Sequence, residues 1–161
     1  GGKDAPALQT EIVKSGIEDQ VVMCGRISDR KLLAALYSRA DLFLFPSLYD
    51  TNSLVQIEAA SQKTPTVFVC NSITSATVTE NANGFFCENS KESLAKKVVE
   101  SMEDPALYKA VAENAFHDLY KTWDDTVAEA YERYCMLIQK RATGCPVPAK
   151  TERCSLRSRF A

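Results

Sequence analysis

The sequence predicts an α/β fold, with a parallel sheet between layers of helix. Three observations carry this expectation. Val21-Val22-Met23-Cys24, Leu42 to Phe45 and Thr66 to Cys70 are apolar without alternation, as strands buried on both faces of a parallel sheet are. Stretches with helical spacing separate these runs, so the connections are crossovers of one hand. The chain has 161 residues, 45% apolar and 25% charged, the balance of a soluble domain with a single core.

The elements follow in order. Residues 5–15 place Leu8, Ile12 and Val13 on one stripe, and Gly16 closes that helix. The first strand is expected over 21–25. Asp29 caps a helix carrying Leu32, Leu33, Leu36 and Tyr37. A second strand at 42–46 leads into a helix over 53–62, where Ser53-Leu54-Val55-Gln56 matches a capping box. A third strand covers 66–70, and Gly84-Phe85-Phe86-Cys87 is a weaker fourth. Ser90, with Ser93, opens a helix through Leu94, Val98 and Met102. Asp104-Pro105 opens the next, with proline at the first helical position. The last helix runs from Trp123 to Arg141, with Val127, Tyr131, Tyr134 and Leu137 on one face and Trp123 as its anchor on the core. Gly144-Cys145-Pro146-Val147-Pro148 ends it. The expected organisation is one domain over residues 1–141 and a mobile basic tail over 142–161.

Charge and cysteine usage narrow the class. The net charge is −2, without the basic excess of a nucleic-acid binder. Residues 140–161 are the exception, with six basic residues against Glu152. Such a segment is either solvated or drawn to an anionic membrane surface. The apolar run Leu42–Phe45 is far too short to span a bilayer, and no charged-then-apolar leader opens the chain. Because the first residue is Gly1 and not Met, the chain reads as a piece of a longer protein. Six cysteines, none in a C-x-x-C pair, and the single histidine His117 do not make a zinc site. Cys24, Cys70 and Cys87 lie in or beside strand-like runs and read as small buried hydrophobes in a reducing cytoplasm. His117 sits in a polar helix and reads as a surface residue.

Ligands of open α/β sheets bind beyond the carboxyl ends of the strands. Three polar loops qualify: Gly25-Arg26-Ile27-Ser28, Pro46 to Asn52, and Asn71 to Ser75. The second is the most informative. A helix starting at Ser53 leaves amides near Leu54 and Val55 facing the loop, and such a terminus attracts phosphate. Glu58 stands four residues after Leu54, and helical side chains lean toward the N-terminus. Its carboxylate can accept from sugar hydroxyls, and Asp50 offers a second acceptor. The bland alternative keeps Asp50 as a turn residue and Glu58 as a solvated helix residue.

The segment Phe45-Pro46-Ser47-Leu48-Tyr49-Asp50-Thr51-Asn52-Ser53-Leu54-Val55-Gln56-Ile57-Glu58-Ala59-Ala60 resembles the signature of the group 1 (family 4) glycosyltransferases. There a strand ends in Pro-Ser, two acids flank seven residues, and Ala and a later Pro follow; here the acids are Asp50 and Glu58 and the proline is Pro65. Gly25-Arg26-Ile27, Leu33, Tyr37, Ala40-Asp41 and Asn83-Gly84 fit as well, so the resemblance covers about residues 1–140. It implies a Rossmann-like three-layer sandwich, the C-terminal half of a GT-B fold, with nucleotide-sugar as the bound substrate. Carried over by position, Glu58 bonds the ribose hydroxyls and Asp50 contacts the donor sugar. Amides of Thr51, Asn52, Ser53, Leu54 and Val55 hold sugar and diphosphate, while Gly25, Arg26 and Ile27 border the base.

The family transfers sugar with retention, usually without a bound metal, so no cofactor is expected. The resemblance also implies an acceptor-binding domain and diphosphate-binding cations upstream of Gly1, an inactive isolated chain, and a cytoplasmic enzyme of cell-envelope glycan or glycolipid synthesis, peripheral to the inner membrane face. The chain departs from the family pattern at several points. Asp50 replaces a usual Glu, Asn52-Ser53 replaces a small pair, Lys63 stands where Gly is usual, and Ala76 or Thr77 stands where another Glu is common. Two other readings remain open: a sugar-nucleotide epimerase or phosphorylase-like enzyme of the same fold, and a nucleotide- or partner-binding module without turnover.

Overall fold

The computed structural model describes residues 2–50 and 53–142. Thr66–Val69 is the strand on which the other elements are built. All four residues are buried, as an unbroken apolar run predicts. It is β2 of a three-stranded sheet, flanked by β1 (Phe43–Phe45) and β3 (Phe85–Cys87). Both pairings are parallel, with Leu44 opposite Val67 and Phe68 opposite Phe86. The hydrogen bond from Phe43 N–H to the Pro65 carbonyl opens the first ladder at 2.9 Å, and that from Cys70 N–H to the Cys87 carbonyl closes the second at 2.8 Å.

The two faces of the sheet carry different chemistry. On one, Val67, Val69, Phe85 and Cys87 meet Val111, with Leu42, Leu48, Leu94 and Leu107 packed around them. On the other, Phe68 meets Phe45 edge-on at 6.4 Å; Phe45 stacks on Phe43, which receives the edge of Tyr37 at 5.5 Å. Offset and edge-on geometries are those that aromatic quadrupoles favour. Burial on both faces makes parallel pairing the stable arrangement.

Six α-helices are described: α1 (Ala5–Ser15), α2 (Arg30–Arg39), α3 (Leu54–Ser61), α4 (Lys91–Glu103), α5 (Pro105–Leu119) and α6 (Trp123–Ala142). Their ends match the capping residues legible in the sequence. Gly16 is left-handed, at φ 64°. Asp29 accepts from Lys31 and Leu32 amides, and Asp104 from Ala106 and Leu107 amides. Ser90 accepts from Ser93 N–H, a first-turn donor, while the Ser93 hydroxyl accepts from Glu88 N–H ahead of the helix. α6 opens on a reciprocal pair, Thr122 with Asp125, which holds the Asp125 carboxyl below its ordinary range through the Thr122 hydrogen bonds.

The chain separates into two compact units, Gly1–Tyr120 and Lys121–Ala161. Of the tail expected over residues 142–161, Ala142 ends α6 and the rest, with Cys145 and Cys154, lies outside the described residues, as do Thr51 and Asn52. No described helix is long and apolar enough to cross a membrane.

Three expectations are corrected. Val21–Cys24 is not a strand: the sheet ends at β1, and Val22 is 83% exposed. An apolar run acquires strand structure only through a paired neighbour, and none reaches it among the described residues. Cys24, in that run, is exposed rather than buried, whereas Cys87 is buried and Cys70 half-buried; all three are free thiols. Burial pushes the Cys87 thiol above its ordinary range, helped by the nearby Cys70. Trp123, expected as an anchor, is 81% exposed.

The loop before β3 depends on Asn83-Gly84. Asn83 is buried and doubly used: its carbonyl oxygen accepts from Thr79 N–H and its amide donates to Asp118, both at 2.8 Å. A Cβ on Gly84 would stand 2.6 Å from Val78 Cγ1 and 3.0 Å from Phe68 Cε2. Gly84→Ala therefore overpacks the aromatic face of β2. The expected loss is about 1–3 kcal/mol, read from urea unfolding midpoints. An unchanged midpoint would mean that Val78 yields freely.

Candidate functional site: the carboxyl edge of the sheet

Two of the three expected loops, those after β1 and β2, leave the same edge of the sheet, whereas Gly25 to Ser28 follows no strand. Thr74 Oγ1 donates to the Ser47 carbonyl at 2.9 Å, and Ile73 N–H to the Leu48 carbonyl at 3.3 Å. The loops after β1 and β2 are thus tied together. Ser72 organises the second of them, donating to the Val69 carbonyl and accepting from Ser75 N–H. Asn71 begins it at φ 56°, a left-handed conformation that asparagine tolerates.

α3 rises from the loop after β1. Ser53 is its cap, extended at φ −67° and ψ 98°, and its hydroxyl accepts from Gln56 N–H at 3.4 Å. The Ser53 carbonyl takes the amides of Gln56 and Ile57. Leu54 and Val55 N–H groups have no acceptor among the described residues, as expected at the first turn of a helix. Leu54 is 60% exposed and Val55 half-buried. Asp50 lies exposed in the loop ahead of them.

Glu58 is half-buried one turn further on, and its carboxylate meets the Arg30 guanidinium through Oε1. Arg30 is the first residue of α2, three positions after Ile27 and following the cap Asp29. Gly25 turns at φ 64°, Arg26 is exposed and Ile27 half-buried. The pair therefore connects the start of α2 to α3. Tyr37, one α2 face along, lines the same cleft of about 130 Å³ with Leu33, Ala34 and Ser61. Burial, and then the Glu58 charge, raise its phenol above the ordinary range. The sequence reading did not single out Arg30. Its partner lies 28 positions away, and periodicity carries no signal across two elements.

The family model for group 1 glycosyl transferases matches residues 1–118. The chain belongs to the group 1 glycosyl transferases. A lipopolysaccharide core biosynthesis mannosyltransferase, LpcC of Rhizobium leguminosarum bv. viciae, is 27% identical over 112 residues, covering 69% of this chain and 31% of that protein. The C-terminal domain of a group 1 glycosyl transferase (LpcC) of Francisella tularensis superposes with TM-score 0.63 at 20% identity, covering 73% of this chain and 62% of that one. Anabaena Alr3699/HepE, solved in complex with UDP-glucose, gives TM-score 0.62 at 26% identity, covering 73% of this chain and 32% of that one. The fold is that of the Rossmann-like C-terminal domain of GT-B glycosyltransferases. The chain spans less than a third of the length of the curated relatives it matches.

The site helix ends in a left-handed turn. Lys63 follows α3 at φ 58°. A side chain there costs about 1–2 kcal/mol. Lys63 also has attachments: Glu113 at 2.7 Å, and the face of Phe116 at 5.5 Å from the ring centre. Its ammonium holds the Glu113 carboxyl below the ordinary range. Two variants separate backbone strain from these contacts, because both lose them. Lys63→Gly should be more stable than Lys63→Ala by about 0.5–1 kcal/mol, the relieved strain less the chain entropy of glycine. Chemical denaturation of the pair checks the order, which is the reverse of helix propensity.

Proposed function

We propose that the chain is the donor-binding part of a retaining glycosyltransferase, moving a sugar from a nucleotide-sugar to a glycan or lipid acceptor. One observation carries the reading. A capped helix, α3, starts at the carboxyl end of a parallel strand with spare amides at Leu54 and Val55, and an acid stands one turn in. The positive end of a helix stabilises a diphosphate, and a carboxylate beside it accepts from ribose hydroxyls. The site lies inside the segment that matches the family. HepE, with a similar fold, is described with UDP-glucose, which supports a nucleotide-sugar as ligand.

In this reading Glu58 takes the ribose and Asp50 the donor sugar. Amides of Thr51 to Val55 hold the diphosphate, and Gly25, Arg26 and Ile27 border the base. Turnover, without a resident metal, belongs to the complete protein, in which an acceptor domain positions the acceptor and additional cations neutralise the leaving diphosphate. The lipopolysaccharide mannosyltransferase relative supports a role in cell-envelope glycan synthesis. A cytoplasmic enzyme peripheral to the membrane fits that role.

Two measurements test the reading. A structure with UDP or sulfate should show an anion oxygen within about 3.2 Å of the Leu54 or Val55 amide. A diphosphate at the amino-terminal edge of the sheet would overturn the site. Glu58→Gln should weaken binding of UDP, GDP or ADP, whichever binds best, by roughly 1–3 kcal/mol, with the thermal melt unchanged. Equal affinity by calorimetry would show Glu58 to be an ordinary helix residue.

A further inference from the structure

Glu58 does not stand alone at the site. The Arg30 guanidinium occupies Oε1, and among the described residues no second side chain engages Oε2. The Arg30 side chain is 79% exposed and that of Glu58 29%. An ion pair this open contributes little to stability, so its consequence is orientation. A glutamate on a helix turns about three torsions, and each free rotor lowers the fraction of time that its carboxylate faces a ligand. Arginine suits this task, because it stays charged and presents its donors in a rigid fork. Its backbone is fixed: Arg30 opens α2 directly after the Asp29 cap, and α2 packs against α3. Tyr37 and Ser61 line the same cleft as the pair.

We propose that Arg30 is a positioning residue for nucleotide recognition: it holds Glu58 through Oε1 and leaves Oε2 to accept from the ribose hydroxyls. The proposal rests on the nucleotide reading of the site given above. It makes the first loop and α3 act together, because the residue that borders the base-side loop also orients the acid that reads the ribose. The opposite behaviour, a latch in which the guanidinium competes with ribose for the carboxylate, has the opposite sign in the test.

The experiment compares a nucleoside diphosphate with its 2′-deoxy counterpart by calorimetry on the full chain, using whichever of UDP, GDP and ADP binds best. Wild type should prefer the ribonucleotide by about tenfold, the effect of one charge-assisted hydrogen bond. Glu58→Gln should abolish that preference. Arg30→Ala should cut it at least about threefold while leaving deoxynucleotide affinity unchanged, and Arg30→Lys should restore part of it. Glu58→Gln combined with Arg30→Ala should be no weaker than Glu58→Gln alone. Loss of affinity for both nucleotides equally would make Arg30 a general electrostatic or structural residue. Tighter ribonucleotide binding by Arg30→Ala would make it a latch. Either result, or no change, overturns the proposal while Glu58→Gln still upholds the site. No binding by wild type, or an undiminished preference in Glu58→Gln, overturns the nucleotide reading and this proposal with it.

Discussion

Everything in the first unit hangs on β2. Its four residues are buried and hydrogen-bonded to a parallel neighbour on each side. Water cannot satisfy that backbone, so both ladders must form for the strand to be buried at all. Once they do, Val67 and Val69 must find apolar cover on one face and Phe68 on the other. α4 and α5 supply the first through Leu94, Leu107 and Val111. The aromatic series from Phe45 to Tyr37 supplies the second. Parallel pairing then requires a crossover between β1 and β2, and α3 is that crossover. The site helix therefore exists because the sheet demands it, and its N-terminus falls at the carboxyl edge for the same reason.

The return segment from β2 to β3 is held by polar groups rather than by a helix. Ser72, Thr74 and Asn83 each find partners within the segment or across to Ser47 and Asp118. Buried polar groups of this kind are stabilising only when satisfied. Thr74 also ties this segment to the loop that carries Asp50. The rigidity of the candidate site thus comes from side-chain hydrogen bonds at a sheet edge where regular ladders have ended. Gly84 allows the same segment to pass against Phe68.

The chain leaves α3 through a left-handed turn at Lys63. The side chain is drawn outward to Glu113 on α5 and over Phe116. α3 and α5 would pack without that bridge, through Ala59, Ala60, Ala112 and Ala115, which are buried small residues. The Lys63 contacts lie at the exit of α3, at the opposite end from its entry at Ser53, Leu54 and Val55.

Helix ends were legible in the sequence because capping is local. Asp29, Ser53, Ser90 and Asp104 reach amides two or three residues ahead, a distance that a sequence spells out. β2 was legible because burial on two faces leaves an unbroken apolar run. The motif from Pro46 to Glu58, and with it the family, was legible because its residues are contiguous in the chain. Three things were not. Val21–Cys24 has the composition of a strand, but strand structure requires a partner, and pairing is decided in space. The exposure of Cys24 follows from the same cause. The contact of Arg30 with Glu58 arises because α2 and α3 lie side by side, and no spacing rule connects residues on different helices. The sequence by itself determined the local elements, the core strand and the family; only the tertiary structure decided which strand was left unpaired and which cation meets the site acid, because both depend on long-range neighbours.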